Sequence, residues 1–113
     1  MKTQAFTLHT DRQGYYNITA AVKKCVSDAG VRSGLCVVFC PHTTAAITIN
    51  ENADPDVRHD LVLGMDGAFP IRSGFLHGEG NSDAHLKCMN VGASETILIE
   101  EGRLLLGTWQ AVY

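Results

Sequence analysis

The sequence predicts an α+β domain, and three observations predict it. Strand-like runs follow one another without regular crossover helices between them, which excludes a doubly wound parallel sheet. Helical periodicity is confined to short segments. The chain has 113 residues, 45% of them hydrophobic and 19% charged, which is enough for one core and too little for two. A single domain over 1–113 is expected.

Met1 to Thr10 alternates loosely and ends in the turn signal Asp11-Arg12-Gln13-Gly14, so a first strand is expected over 2–10. Ile18, Ala21, Val22, Cys25, Val26 and Ala29 recur at helical spacing, with Asn17 or Thr19 as cap and Gly30 as stop. A helix over 18–29 with a buried apolar stripe follows. Ser33-Gly34 turns the chain into a strand over 35–40. Pro41-His42-Thr43-Thr44 interrupts it, and Ala45 to Asn50 is a second β-rich run. From Asn52 to Leu63, Ala53, Val57 and Leu61 fall four apart and Pro55 suits a first turn, predicting a second helix. Residues 64–80 carry five glycines and one proline without clear period, the signature of a loop. Asn81 or Ser82 caps a short helix running to Cys88, with Asp83 and Lys87 placed to suit its dipole. A strand over 96–99, a turn at Glu101-Gly102, a hairpin partner over 103–106 and a last strand over 108–113 complete the chain. The predicted order is β-α-β-β-α-loop-α-β-β-β.

Composition narrows the function classes. The net charge of −3 argues against a general nucleic-acid binder, since such domains are usually basic. No run approaches the roughly 18 apolar residues of a membrane helix. Met1 to Thr10 lacks the basic-then-apolar layout of a signal peptide. Four cysteines stand at 25, 36, 40 and 88, with no Cys-x-x-Cys. Cys36 and Cys40 share one strand face about 13 Å apart. A disulfide needs Cα atoms within about 7 Å. Free thiols in a reducing cytoplasm are the expectation.

Chemistry concentrates in two stretches. The first runs from Pro41-His42-Thr43-Thr44 to Asn50-Glu51-Asn52-Ala53-Asp54 and places a histidine and two hydroxyls at a strand end. The second, His77-Gly78-Glu79-Gly80-Asn81-Ser82-Asp83-Ala84-His85, adds two imidazoles. Two readings are open from the residues. His42, His77 and His85, with Glu51, would bind a divalent metal with an open position. Alternatively the histidines are acid–base groups and the helix start near Ser82 holds an anion. The spacing is not diagnostic, because there is no His-Glu-x-x-His. Unconnected surface histidines are the plain alternative. Glu51, Asp54, Asp56 and Asp60 straddle a helix start, where acids stabilise through the dipole alone. His59 sits beside Arg58 on an exposed helix face, His9 ends the first strand with no polar company, Thr43 and Thr44 would close a turn, and Trp109 would be a packed core indole.

The string from Phe39 through Pro41-His42-Thr43-Thr44 and Asn50-Glu51-Asn52-Ala53-Asp54-Pro55 to Val57 resembles the YjbQ-like family. So do Gly80-Asn81-Ser82-Asp83-Ala84-His85 and Gly102-Arg103-Leu104-Leu105-Leu106-Gly107-Thr108-Trp109-Gln110, and the likeness spans nearly the whole chain. That family is known as secondary thiamine-phosphate synthase. The resemblance implies a compact α+β fold with a sandwich-like, mostly antiparallel sheet core, two or three short helices, and assembly as a homotrimer. It implies weak coupling of hydroxymethylpyrimidine diphosphate with thiazole phosphate, with release of diphosphate. The family's polar positions fall on His42, Thr43, Thr44, Asn50, Glu51, Asp54, His77, Asn81, His85, Ser94, Trp109 and Gln110. His42, Glu51 and His85 would be catalytic. Thr43, Thr44, Asn50, Asp54, Asn81, Trp109 and Gln110 would bind the ligand. His42, His77 and His85 would hold a divalent metal ion, zinc or magnesium. The alternative is a non-catalytic protein binding a metal or phosphorylated metabolite.

Segments 39–57 and 77–85 contain no Lys or Arg. Diphosphate departure needs positive charge facing it. That charge must come from a metal, protonated histidines, helix N-termini or a neighbouring subunit. Family members usually continue past Gly-Thr-Trp-Gln into a further strand with an Asp-Gly-Pro-Arg-like ending. This sequence ends at Tyr113, so the last strand is expected to be short and no role of that arginine carries over.

Overall fold

Val112, next to last in the sequence, is the most deeply buried side chain, with 0% exposure, and the core is arranged around it. The computed structural model describes residues 1–113. In chain order its elements are α1 (Thr19–Ala29), β1 (Gly34–Phe39), β2 (Ile49–Glu51), α2 (Pro55–Ala68), α3 (Ser82–Val91), β3 (Ser94–Glu100), β4 (Arg103–Leu104) and β5 (Gln110–Val112). They form two antiparallel sheets, β1-β3-β4 and β2-β5. The α+β class is as predicted.

The apolar stripe of α1 is buried at Val22 and Val26, with Ile18 just ahead of the helix. Asn17 Oδ1 accepts the Thr19 N–H at 3.0 Å, satisfying one of the free donors of the first turn. Gly30 ends the helix at φ 67°, in the left-handed region that glycine enters without a Cβ clash. Ile18, Val22 and Val26 meet Ile47, Ile97, Ile99, Leu104 and Val112 in one cluster. Strand alternation supplies these partners: Ile97 and Ile99 of β3 point inward, and Leu104 pairs with Ile99 through the hairpin.

The C-terminal strand stitches the parts together. The Ile18 N–H donates to Val112 O at 2.8 Å, and the Val112 N–H donates to Thr19 Oγ1 at 2.9 Å. Tyr113 exchanges backbone bonds with Thr48, at 3.0 and 2.9 Å. Its hydroxyl donates toward Glu51 O at 3.0 Å and lies 2.9 Å from Asn52 Oδ1. Asn52 Oδ1 also accepts from Asn17 at 3.2 Å.

The two remaining helices are held differently. Neither α2 nor α3 contains a buried residue. Asp54 caps α2 by accepting the Asp56 N–H at 2.9 Å, with Pro55 in the first turn. Lys87 of α3, only 12% exposed along its side chain, bonds Asp66 of α2 and Gln13, both at 2.6 Å, and Asp83 at 3.3 Å. Burial works against the Lys87 ammonium, but its bonds to Asp66 and Asp83 outweigh that and raise its pKa. The same Lys87 contact, then Gln13, lowers the pKa of Asp66. Burial raises the nearby Tyr15 phenol, against the pull of Lys87.

Several expectations are corrected. The predicted strand over 2–10 does not form. No strand of this chain lies beside it, and a strand without a partner gains no ladder bonds. Instead Lys2 bonds Ala29 O and Gln4 bonds Cys25 O, laying the segment along α1. The β run expected from Ala45 pairs regularly only from Ile49, although Ile47 still enters the core and donates to Gly92 O at 3.0 Å. The second helix begins at Pro55 rather than Asn52 and runs through Gly64 and Gly67 into the predicted loop, ending at Ala68. Asp66, tied to Lys87 and Gln13, anchors that extra turn. The third helix also runs one turn longer, to Val91. The pairing of β4 covers only Arg103–Leu104, and that of β5 only Gln110–Val112.

The outer face of the three-stranded sheet is apolar and open. Leu35, Val37 and Phe39 of β1 are 62–64% exposed, and Leu35 sits opposite the exposed Leu98. Exposed Leu105 lies at the edge of the same sheet, where its N–H donates to Leu98 O at 2.8 Å.

Two outcomes are expected. Tyr113→Phe removes the hydroxyl that ties β5 to Glu51 and Asn52 and should lower stability by about 1–2 kcal/mol in urea unfolding. An unchanged midpoint would show that the hydroxyl adds nothing. Lys87→Met should destabilise at neutral pH by about 1–2 kcal/mol, since two carboxylates lose their partner. Asp66 has a depressed pKa, so its contribution is present above its ordinary value of 3.8 and lost as pH falls through the folded value. Lys87 has a raised pKa, so its contribution is present below 10.5 and lost as pH climbs through the folded value. The gap between wild type and Lys87→Met should therefore be widest between these limits and narrow in acid; a gap independent of pH would contradict the ion-pair account.

Candidate functional site

The segment after β1 turns at once: the His42 N–H donates to Cys40 O at 2.9 Å. Two residues on, the Thr44 N–H donates to His42 Nδ1 at 3.0 Å, and Thr44 Oγ1 lies 3.1 Å from the same nitrogen. The imidazole is thus held from its Nδ1 side by the loop that carries it. The loop is in turn clasped to α3, because the Cys88 thiol reaches Ala45 O at 2.9 Å and His42 O at 3.5 Å.

Helix α3 brings the second group. His85 stands three residues before Cys88, and residues three apart share a helix face. Gly80 at φ 72° closes a turn with its N–H on His77 O at 3.0 Å. That turn brings the His77 ring against His85, edge to face, with centroids 5.3 Å apart. At the head of the helix the Asn81 carbonyl accepts the N–H groups of Ala84 and His85. The Asn81 side chain makes no capping bond, and its Oδ1 is buried without a hydrogen-bond partner. A buried acceptor left in that state lacks a donor. His42, His77, Asn81 and His85 are therefore gathered about one support, α3 and the loop it grips.

Of the other expected residues, Asn50, Glu51 and Gln110 lie on the two-stranded sheet and the rest are scattered. Asn50 and Glu51 lie opposite Ala111 and Gln110. Asn50 Oδ1 accepts the Glu51 N–H at 2.7 Å, and Gln110 Oε1 accepts the Gly107 N–H at 2.8 Å, so both amides serve local turns. Asp54 is spent on its helix cap. Trp109 is 63% exposed, against the expectation of a packed core indole. Thr43 is exposed, and Ser94 starts β3 opposite Phe39. No hydrogen bond joins Asn50, Glu51 or Gln110 to the histidines.

The expected metal triad is not assembled within one chain. No three His, Cys, Asp or Glu side chains are grouped so as to hold a metal ion. His42 Nδ1 is already covered by Thr44. Positive charge near the histidines is also scarce. Lys87, two residues after His85, is the nearest cation in sequence, and its charge is met by Asp66 and Asp83. Lys23 and Arg103 line a hollow of about 280 Å³ by the β3–β4 turn, at the other end of the sheet from Phe39 and His42.

Sequence reasoning missed Cys88 and Asn52. In the sequence Cys88 is only one of four free thiols; its place three residues after His85 is the available signal. Nothing in sequence links Asn52 to Asn17 and Tyr113, 35 and 61 positions away.

Comparison with known proteins places this geometry. The family described as UPF0047 protein YjbQ-like matches residues 4–113. UPF0047 protein MJ1081 of Methanocaldococcus jannaschii is 47% identical over 102 residues, covering 90% of this chain and 74% of the relative. UPF0047 protein YugU of Bacillus subtilis is 47% identical over 105 residues, covering 92% of this chain and 80% of the relative. A crystal structure of a YjbQ/UPF0047 family protein from Clostridium acetobutylicum superimposes with a TM-score of 0.89 at 53% identity, over 94% of this chain and 83% of that one. The crystal structure of APE1520 from Aeropyrum pernix gives 0.91 at 36% identity, over 99% and 85%. With its motifs, fold and sequence all in agreement, this chain belongs to the UPF0047 YjbQ-like family.

Proposed function

We propose that the protein binds a phosphorylated small molecule at the His42–His77–Asn81–His85 cluster and weakly couples hydroxymethylpyrimidine diphosphate with thiazole phosphate. The thiazole nitrogen would attack the methylene carbon as its bond to the diphosphate oxygen breaks, and the diphosphate would leave with the electron pair. The observation that carries the reading is the attachment of all three imidazoles to α3: His85 on the helix with His77 against its ring, and the His42 loop clasped by Cys88 in the last turn. Imidazole N–H groups and the free amides of a helix start suit phosphate oxygens. His42 and His85 would face the departing diphosphate, and Thr43 would lie beside it. Glu51, Asn50, Trp109 and Gln110 would contact the second substrate across the two-stranded sheet. One chain does not offer three metal ligands, so no step here runs through a protein-bound ion.

The lack of a free cation among these residues favours a second reading, a binding protein without turnover. Without such charge the leaving diphosphate is poorly stabilised. The same lack accounts for a weak activity. The four unpaired thiols support a cytoplasmic setting, and no helix is long and apolar enough to cross a membrane.

Assembly as a homotrimer would cover the apolar face of Leu35, Val37, Phe39 and Leu98. Exposed apolar faces of this kind are usual at subunit contacts. It would also bring a neighbour near His42, which follows β1 directly.

Calorimetric titration with inorganic pyrophosphate, together with an assay for thiamine phosphate, tests the function. His85→Ala and His42→Ala should each weaken pyrophosphate binding about tenfold, which is roughly 1.4 kcal/mol. Coupling that survives both substitutions would reject this site, and binding without coupling in the wild type would favour the second reading. For the assembly, sedimentation should give three times the 12.2 kDa chain mass. Val37→Asp should reduce that mass; a trimer unaffected by Val37→Asp would place the contact elsewhere.

A further inference from the structure

We propose that His42 is a fixed hydrogen-bond donor to a phosphate oxygen, not a metal ligand, and that Thr44 is the positioning residue that fixes it. The inference rests on the phosphorylated-ligand reading above and names what His42 does in it. A backbone N–H can only donate, and the Thr44 N–H lies 3.0 Å from His42 Nδ1. Nδ1 is therefore the acceptor. A neutral imidazole has one donor and one acceptor nitrogen, so its proton sits on Nε2. Thr44 Oγ1, 3.1 Å away, covers the same nitrogen. A half-turn of the ring would lose the backbone bond, and the loop cannot swing away freely. It is held by the His42 N–H on Cys40 O at 2.9 Å and by Cys88 on Ala45 O at 2.9 Å.

Metal-binding histidines show the reverse arrangement. One nitrogen is bare toward the ion, and the other donates its N–H to a carbonyl or carboxylate. For His42 to ligate through Nε2, the ring proton would have to move to Nδ1. There it would face the Thr44 N–H, donor against donor, and the bond that holds the ring would be lost. Ligation through Nδ1 is blocked by Thr44 itself. No group of three candidate ligands exists elsewhere in the chain to impose a different arrangement. An Nε2–H, by contrast, is what a phosphate oxygen accepts. The spacing His-x-Thr produces this state locally, since it puts a backbone N–H within reach of Nδ1 two residues back.

Nitrogen-15 spectra of the histidine rings test the assignment in the intact protein at a pH of about 8, where an ordinary imidazole is neutral. The expected result is a bare Nδ1 and a protonated Nε2 at His42. Pyrophosphate should shift Nε2, and zinc alone should leave the His42 ring unchanged. Thr44→Ala, which keeps the N–H, should retain the tautomer. Thr44→Pro, which removes it, should mix the two tautomers and weaken pyrophosphate binding about tenfold. The wild-type spectrum decides the tautomer even if Thr44→Pro does not fold. A protonated Nδ1 in the wild type, or zinc shifting His42 Nε2, would overturn the proposal. If pyrophosphate binds but leaves His42 unshifted, the donor role fails alone. If pyrophosphate does not bind at all, the phosphorylated-ligand reading fails with it.

Discussion

The constraint on which the structure depends is the burial of its last strand. Val112 has no exposed surface, and its backbone bonds the start of α1 on both sides, to the Ile18 N–H and to Thr19 Oγ1. Tyr113 continues the pairing to Thr48 and crosses to Asn52. One short segment therefore joins the helix that covers the core, the two-stranded sheet and the approach to α2. The hydrophobic term acts on few residues here: the central cluster has eight members. With so small a core, each of its contacts matters more, because the margin between burial and chain entropy is narrow.

Away from that core, side-chain hydrogen bonds replace packing. Helices α2 and α3 bury no residue, so their positions depend on Lys87, Asp66, Gln13 and Cys88. Polar bonds are directional, and apolar burial is not. A helix held by them can be set at a defined angle without being sunk into the core. In this way α3 carries His85 and Asn81 half-buried and still grips the loop of His42. The same Lys87 that fixes the helix is thereby withdrawn from any ligand, its charge met by Asp66 and Asp83.

This economy links structure to the proposed chemistry. Neutral donors can bind a phosphate oxygen, but they stabilise a departing diphosphate less than a cation would. A site made of imidazoles, a helix start and an amide is suited to recognition first and to slow transfer second. The outer face of the three-stranded sheet, with Leu35, Val37, Phe39 and Leu98, stays apolar and exposed.

Local information sufficed for some elements. The stripe from Ile18 to Ala29 specified α1 and its buried face, because helical period alone selects those residues. Asp54-Pro55 marked the start of α2, and Glu101-Gly102 marked the hairpin, since caps and turns are decided within a few residues. The motif segments also pointed to His42, His77, Asn81 and His85. What the sequence could not decide was everything that needs a distant partner. Residues 2–10 alternate like a strand but have none beside them, and α2 passes its glycines because Asp66 meets Lys87, 21 positions away. Only the tertiary structure separated the histidine cluster from Glu51 and Gln110. Only it set Cys88 against the loop that carries His42 and Thr44. Residue types set what a side chain can do; its hydrogen-bond partners in space select which of those things it does.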